Sequence, residues 1–574
     1  MSDRDHPALV TSHPSVVERL KRLSPDQRAA ATAPRGPTLC VAPAGSGKTT
    51  TLVARVAWLV DGGLEPEGIC AVTFNRRAAE ELSERVDAAL QPLDLAPGAV
   101  RIRTFHALGR EMLKGAGVDV TRLVDRSSVV SELLGPRAPP ALLRAADDGI
   151  SRLKLDPEGT VAPTALVDLF RRYQAHLRDT GSVDFDDFVC RALRLLREDT
   201  ALLAKWRGAC RTLLVDEVQD LDRSQLEMAL LLAGPAADLF LVGDDDQTIY
   251  AWRLADVRRV LGLAARLPGL RRHDLVTNRR CPPEVVRRAS RLVAHNRERF
   301  VKRIEAAPDA AGSLRLAPDP GDPLARARRL LGAWADHGEG THAILARTNA
   351  ELAPFAAVAI EQGRPYRAAE DGLVLDDTRI DPLLDELDAA HAAVPSVPLL
   401  PLLGRLVASL GAEDQGIGIA VVSWATAHGS AGRLHSAVIA TRRRRTELRR
   451  DDAQLVLATA HGTKGLEFDH VACIGLDEGT FPSARTLAEA AEPGRVLEEE
   501  RRLAYVAWTR ARRSLTLVYD PAAPSRFLRE AFDADELAAS DRLLARHPDA
   551  QVWLRQIGSR YARRFGPRYE AAAA

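Results

Sequence analysis

The sequence predicts an α/β fold of two parallel-sheet units, each interrupted by a mainly helical insertion. Two observations predict this. Residues 38–85 with 211–278, and residues 342–366 with 455–519, alternate short apolar runs with helical patterns, which is the signature of parallel strands joined by crossover helices. A helical stretch, 111–203, separates the halves of the first set, and an Ala/Leu/Pro-rich stretch, 373–451, separates the halves of the second. The boundaries that follow are 1–110 and 204–280 for the first unit, 111–203 for its insertion, 281–372 and 452–530 for the second unit, 373–451 for its insertion, and 531–574 for a basic helical tail. A chain of 574 residues is long enough for that many cores. No internal repeat relates the two units.

Composition sets limits. Hydrophobic residues make up 46% and charged residues 27%, as in a globular chain, and the formal net charge is only +1. Any nucleic-acid-binding surface must therefore be local. The six cysteines, Cys40, Cys70, Cys190, Cys210, Cys281 and Cys473, form no CxxC pair, so neither a zinc site nor a disulfide framework is expected. Residues 1–10 lack the apolar core of a signal peptide. The most apolar stretch, 228–242, is broken by Gly234, Pro235 and Asp238 and is not expected to span a membrane.

The first chemical motif follows the first apolar run. Thr38-Leu39-Cys40-Val41 leads into Ala42-Pro43-Ala44-Gly45-Ser46-Gly47-Lys48-Thr49, after which a helical pattern continues through Val53 and Val56. Strand, glycine loop and helix in that order are the setting of a phosphate-binding loop. Gly45 and Gly47 let backbone N–H groups approach phosphate oxygens with no Cβ in the way. The helix N-terminus adds partial positive charge. Lys48 suits the β- and γ-phosphates, and the Thr49 hydroxyl suits Mg2+. The nucleotide-contacting set is Ala44, Gly45, Ser46, Gly47, Lys48, Thr49 and Thr50; the usual leading glycine is Ala42 here. Upstream, Ser24-Pro25-Asp26-Gln27 opens a helix. It reads both as a capping box, with Gln27 at N3, and as a glutamine placed to recognise adenine ahead of the loop; the two are compatible.

A second apolar strand, Leu213-Leu214-Val215, ends in Asp216-Glu217. Carboxylates at the C-terminal end of a parallel strand stand where α/β folds bind ligands. Asp216 suits Mg2+, and Glu217 suits activation of an attacking water. A third strand, Leu239 to Val242, runs into Gly243-Asp244-Asp245-Asp246-Gln247, where Gln247 either senses a γ-phosphate or belongs to a polar turn.

Taken together, these residues resemble the superfamily 1A helicases typified by UvrD, Rep and PcrA. Asp216 to Asp220 (DEVQD) resembles motif II, and Gly243 to Arg253 (GDDDQTIYAWR) resembles motif III. Thr73-Phe74 with Ala78-Ala79-Glu80, and Thr104-Phe105-His106, resemble the DNA-contacting motifs. Asn278-Arg279-Arg280 sits at motif IV, Arg347-Thr348-Asn349 resembles the RTN motif, His461 to Phe468 (HGTKGLEF) motif V, and Glu498 to Arg512 motif VI. Pro524 to Leu528 is similar to the family's ending, and the matches run in family order from about Leu23 to Leu528.

The resemblance implies two RecA-like P-loop motor domains and ATP hydrolysis with Mg2+, stimulated by single-stranded DNA. It implies movement 3′ to 5′ and a cytoplasmic, nucleoid-associated place in a bacterium. It assigns Glu217, Gln247, Arg280 and Arg510 to catalysis, with the two arginines reaching the γ-phosphate from the second motor domain; a planar guanidinium suits transition-state phosphate. It assigns Glu467 to the ribose, and Phe74, His106, Tyr250, Trp252, Asn349 and His461 to the single-strand path, where aromatic faces stack on bases without regard to sequence. The expected partners are single-stranded DNA, junctions of single- and double-stranded DNA, and a protein docking on the C-terminal tail.

Four features depart from the family pattern or leave readings open. Arg279 stands where a tyrosine usually stacks on adenine, and Thr50 stands where an arginine usually follows the P-loop threonine. The second insertion is shorter than in UvrD-like proteins, with Gly416-Ile417-Gly418 faintly similar to a duplex-contacting segment. The run Arg442 to Arg445, with Arg449 and Arg450, reads either as a phosphate grip or as a solvated helix face. In the tail, Arg560, Arg563, Arg564 and Arg568 interleave with Tyr561, Phe565 and Tyr569, as a docking segment or a packed helix would. No nuclease signature follows motif VI. The functional expectation is an ATP-dependent DNA helicase or translocase of repair and recombination. The alternatives are a translocase that strips proteins from DNA and hardly unwinds, and an ATP-gated DNA-binding subunit of a repair or phage-defence complex.

Overall fold

The computed structural model describes residues 12–546, apart from 161, 236–237, 336–339, 374, 376, 378, 395, 411–417, 419–420, 423–424, 426–427 and 429. The tail from 547 onward, and Gly416 and Ile417, therefore lie outside the described residues. The chain divides into two compact units. Unit 1 runs to Arg280 and includes Val293–Pro308; unit 2 comprises Cys281–Leu292 and the chain from Asp309. The sequence boundary at 280 is thus not a single cut, because residues 293–308, expected in the second unit, return to the first.

Unit 1 is built on β1 (Thr38–Val41), β2 (Ile69–Thr73), β3 (Arg101–Thr104), β4 (Thr212–Val215), β5 (Leu239–Gly243) and β6 (Arg271–Asp274). They form one sheet in the order β3-β2-β4-β5-β1-β6, with every pairing parallel. β1, β2, β4 and β5 are buried at every position, because helices cover both faces of the sheet. Parallel order brings the C-terminal ends of β1, β4 and β5 to one edge, and with them the three motifs found in the sequence. Two minor strands, β7 (Thr277–Asn278) and β8 (Glu305–Ala306), pair with each other and tie residues 293–308 into this unit.

The helical insertion enters after the edge strand β3. Helices Arg126–Leu134, Pro140–Leu155 and Thr164–Thr180 enclose a small core of Val129, Val130, Ala146, Ile150, Leu169, Tyr173 and Leu177. Helix Asp187–Glu198 lies against helix Phe105–Gly115 so closely that a Cβ on Gly109 would stand 2.0 Å from the Phe188 carbonyl oxygen. Lys154 is buried there between Asp184 and Asp187, 2.8 Å from each.

Unit 2 repeats the plan. Its strands are β9 (Ser313–Pro318), β10 (His342–Ala346), β11 (Tyr366–Arg367), β12 (Leu455–Thr459), β13 (Phe468–Cys473) and β14 (Ala511–Tyr519), in the order β11-β12-β10-β13-β14-β9 and again all parallel. The second insertion also enters after an edge strand, β11. Its helices Ile380–Ala393, Leu399–Ser409 and Ala431–Leu448 share a core that includes Leu384, Leu387, Leu403, Leu434 and Val438.

The arginine run lies on and just after helix Ala431–Leu448, and its members hold protein groups. Arg442 donates to the Leu375 carbonyl at 2.7 Å and to Asp381 at 2.6 Å. Arg445 makes a bidentate contact with Asp371 at 2.6 and 3.0 Å. Arg449 donates to the carbonyls of Ala368 and Ala369, and Arg444 to that of Glu361. Arg443 and Arg450 pair with Glu447 and Asp452. The run fastens the insertion to the end of β11, which favours packing over a phosphate grip. Burial pushes the Asp371 carboxyl up, but Arg445 and the Tyr366 hydroxyl outweigh it and hold it below the usual range.

Among the described residues, no helix is long and apolar enough to cross a membrane.

Removing one partner of a buried ion pair leaves the other charge without compensation. Arg445→Met is therefore expected to lower the opening free energy of helix Ala431–Leu448 by about 3 kcal/mol. Amide hydrogen exchange across that helix checks this.

Candidate nucleotide site and nucleic-acid interface

In unit 1, the chain leaves β1 at Val41 and turns through Gly45 (φ 69°) and Gly47 (φ 84°) into helix Lys48–Asp61. Both glycines are required twice over, by the left-handed backbone and by space. A Cβ on Gly47 would lie 2.4 Å from Gln27 Nε2; one on Gly45 would lie 2.8 Å from both Arg280 Cβ and Asn278 Oδ1. Gln27 caps its own helix and braces the loop at once: Oε1 accepts the Ser24 N–H at 3.1 Å, and Nε2 donates to the Ser46 carbonyl at 2.8 Å. Thr49 and Thr50 follow Lys48 in the first turn, and Arg85 donates to the Thr50 hydroxyl at 3.1 Å.

The acidic group comes from β4. Lys48 Nζ lies 3.3 Å from Glu217 Oε2. Burial alone would lower the lysine's pKa, but Glu217, Asp244 and Asp216 outweigh it and hold the ammonium charged. Asp216 is pushed up to about 7, first by burial and then by the Glu217 charge, with Lys48 opposing. Glu217 sits at φ 52°, a left-handed conformation that costs a non-glycine residue of order 1 kcal/mol. Its N–H donates to Asp216 Oδ1 at 3.0 Å, and its carboxylate accepts from Gln219 Nε2 at 2.6 Å.

Asp244, at the end of β5, joins these groups. Its Oδ2 accepts the Ala44 N–H at 3.1 Å and Gln247 Nε2 at 2.7 Å, and its own N–H donates to Gln219 Oε1 at 3.0 Å. Asp244, Asp245 and Asp246 are all buried, against the plain reading of this stretch as a polar turn. Their counter-charges are Lys302, which reaches all three carboxylates, and Arg299, which is bidentate on Asp246 at 3.0 and 2.8 Å. The sequence offered no signal for Lys302, which lies 58 residues from Asp244 with no motif spacing. Asn278 was missed as a brace as well: its Nδ2 donates to the Ala44 carbonyl at 2.8 Å.

Arg280 requires a correction. The role taken from the resemblance placed it on the second motor domain, whereas the sequence boundary kept residue 280 in the first unit; its backbone belongs to unit 1. The β7 pairing and the Arg279 N–H, which donates to the Gly45 carbonyl at 2.9 Å, lay this turn directly on the P-loop.

The residues present fit a nucleotide with a hard divalent cation. The glycine turns leave no room for a Cβ, and Ser46 Oγ is buried without a hydrogen-bond partner among the described residues. Thr49 and Asp216 would hold Mg2+ through oxygen, the donor such a cation takes. Among the described residues no group of three or more His, Cys, Asp and Glu could hold a metal ion.

The aromatic residues gather on the same unit. Phe74 and Tyr250 stack at 5.3 Å with 8° between planes, and Trp252 meets Tyr250 edge-on at 6.0 Å. Trp252 is 57% exposed, with Arg253 over its ring at 4.6 Å. His106 stacks at 4.0 Å on Phe185, which is also 57% exposed. Phe185 was not anticipated; it lies in the helical insertion, three residues before the buried Phe188, whose ring it meets edge-on at 6.0 Å. Burial, then the Arg253 charge, pushes His106 down to about 4.

In unit 2, Arg510 is buried, and its guanidinium donates to the carbonyls of Val506 and Leu466 at 2.8 and 3.1 Å. Glu467 is exposed, 3.6 Å from Arg512. Arg347 donates Nε and Nη2 to Glu500 Oε1 at 2.9 and 2.8 Å and Nε to Oε2 at 3.0 Å, and Asn349 donates to Glu370. Burial, then the Arg347 charge, pushes His461 down to about 4.

Two expectations follow. Gly47→Ala displaces Gln27 and forces the left-handed turn on a residue that resists it; binding of a fluorescent ATP analogue should weaken by roughly tenfold or more, about 1.4 kcal/mol. His106 has a folded pKa below its unfolded value of about 6.5, so the unfolded chain binds more protons between those values. Its contribution is present above about 6.5 and is lost as pH falls toward 4. Calorimetry should show a smaller fall in Tm between pH 7 and pH 5 for His106→Gln than for wild type.

Comparison with known proteins agrees with this architecture. The profile of the UvrD/REP helicase N-terminal domain matches residues 23–133 and 141–268, and that of the UvrD-like helicase C-terminal domain matches residues 436–521. DNA helicase II of Escherichia coli is 28% identical, over 87% of this chain and 84% of that protein. The ATP-dependent DNA helicase UvrD2 of Mycobacterium tuberculosis is 30% identical, over 88% and 81%. The ATP-dependent DNA helicase Rep of Escherichia coli is 33% identical, over 49% and 45%. The two parallel-sheet units are the RecA-like motor domains of such enzymes. With its phosphate loop, its acidic strand end and relatives aligned over most of its length, this chain belongs to the UvrD/Rep family of ATP-dependent DNA helicases.

Proposed function

We propose that the protein is an ATP-driven motor moving 3′ to 5′ along single-stranded DNA, separating strands or displacing proteins in repair and recombination. The observation that carries the reading is the continuity of one loop. Residues 244–253 begin at Asp244, bonded to the P-loop backbone, pass through Gln247, and reach Tyr250, stacked on Phe74, and Trp252, edge-on to Tyr250. A shift at the phosphate end of so short a segment must be felt at its aromatic end.

In this reading, Ala44, Gly45, Ser46, Gly47, Lys48, Thr49 and Thr50 bind ATP, with Gln27 toward the base and Glu467 at the ribose. Thr49 and Asp216 would hold Mg2+, which would supply neutralisation of phosphate charge. Glu217 takes the proton of the attacking water, Gln247 orients that water, and Arg280 and Arg510 stabilise charge on the transferred group. Phe74, His106, Phe185, Tyr250 and Trp252 form a base-stacking surface on unit 1, and Asn349 and His461 are DNA contacts on unit 2. Junctions of single- and double-stranded DNA, and a protein held by the tail, complete the proposed partners.

A second reading, translocation that clears bound protein with little unwinding, is favoured by the second insertion. It is short, and its Arg442, Arg445 and Arg449 are engaged with its own unit.

Steady-state ATPase with and without single-stranded DNA tests the motor. Strong stimulation is expected, lost by roughly 100-fold or more in Lys48→Ala. Turnover indifferent to Lys48, or none with DNA, sinks the autonomous motor in favour of a partner-dependent subunit. Trp252→Ala and Phe185→Ala should each weaken single-strand binding by about 1–3 kcal/mol. Unwinding of tailed duplexes only from a 3′ tail supports the polarity, and a 5′ preference overturns it. Protein displacement without unwinding selects the second reading.

A further inference from the structure

We infer that Lys302, assisted by Arg299, is a positioning residue for ATP hydrolysis: a buried cation that holds the 244–247 loop in the shape the P-loop requires. The inference rests on the hydrolysis reading above and assigns a role to a segment outside every motif found in the sequence.

The neighbouring side chains show what the segment is built to do. Val301 is 90% exposed, whereas the Lys302 side chain is 0% exposed. Hydrophobicity alone would reverse the two. The backbone therefore turns an ammonium inward against its solvation preference, which is stable only where charged partners await it. Three do: Nζ lies 2.7 Å from Asp244 Oδ1, 2.5 Å from Asp245 Oδ1 and 2.9 Å from Asp246 Oδ2. Arg299 adds its bidentate contact with Asp246, and the Phe300 N–H donates to Asp245 Oδ2 at 2.8 Å.

Three consecutive buried carboxylates repel one another. Without the cation they would have to spread, or some would have to take up protons. Either change reaches Asp244, which divides its carboxylate between Lys302 on Oδ1 and the pair Ala44 N–H and Gln247 Nε2 on Oδ2. From Asp244 the contacts continue through Gln219 to Glu217, and from Glu217 to Lys48. Lys302 bears on the groups assigned to the reacting phosphate through the Asp244 carboxylate that it shares with them. It should matter more for the geometry in which a water is oriented than for the binding of the nucleotide.

The test is the DNA-stimulated ATPase of the full chain carrying Lys302→Met, with binding of a fluorescent ATP analogue measured in parallel. A displacement of this kind is expected to lower kcat by roughly 100-fold, while the analogue's Kd and the KM for ATP change by less than about threefold, the pattern of an interaction realised in the transition state. Arg299→Gln, which leaves the Lys302 contacts in place, should lower kcat by about tenfold. It is the deciding variant if Lys302→Met does not fold. The inference is overturned if the deciding variant keeps kcat within about threefold of wild type, or if kcat and analogue affinity fall together in step with the folded fraction, as a purely structural role requires. A wild-type chain with no Lys48-dependent turnover would instead overturn the hydrolysis reading, so the two failures are distinguishable.

Discussion

The carboxylate of Asp244 is the contact on which the candidate site depends. It is buried at the end of β5 and takes hydrogen bonds from the P-loop backbone at Ala44, from Gln247 and from Lys302. A buried carboxylate is costly unless its lone pairs are occupied. The same demand that Asp244 be satisfied therefore fixes three separate segments relative to one another. The parallel sheet makes this possible by bringing the ends of β1, β4 and β5 to one edge. The glycine turns at 45 and 47 then let the loop approach Gln27, Asn278 and Arg280 at distances no other residue would allow.

The arginines of this chain divide by use. Arg445, Arg442 and Arg449 bind carboxylates and carbonyls and join the second insertion to its unit. Arg347 is held by Glu500, and Arg510 by backbone carbonyls. The formal net charge of +1 follows from nearly equal numbers of basic and acidic residues, 79 and 78, and the fold pairs many of them with one another.

The P-loop, the acidic strand end and the alternation of strand and helix were legible in the sequence because each is local. Ser46-Gly47-Lys48-Thr49 must turn sharply after an apolar strand and open a helix, and Asp216-Glu217 must end a strand buried on both faces. Trp252, which the resemblance assigned to the strand path, is exposed. Phe185 and Lys302 could not be read. One is an aromatic in the turn before helix Asp187–Glu198, close to a second, buried phenylalanine, and the other a single lysine among many cations; nothing local says that either faces the site. Gln27 shows the intermediate case, since the capping box was written in four residues while its contact with Ser46 needed the fold.

By itself, then, the sequence determined what periodicity and short motifs encode: two parallel α/β units, the loop that turns after β1, and the family to which the chain belongs. The tertiary structure alone decided which distant charges meet. It placed Arg280 on the P-loop of unit 1, returned residues 293–308 to that unit, set Lys302 among three aspartates and engaged the arginine run in packing. The physical reason is that a buried ion pair is specified by desolvation and geometry over tens of residues, whereas a glycine turn or a helix cap is specified by the backbone of its immediate neighbours.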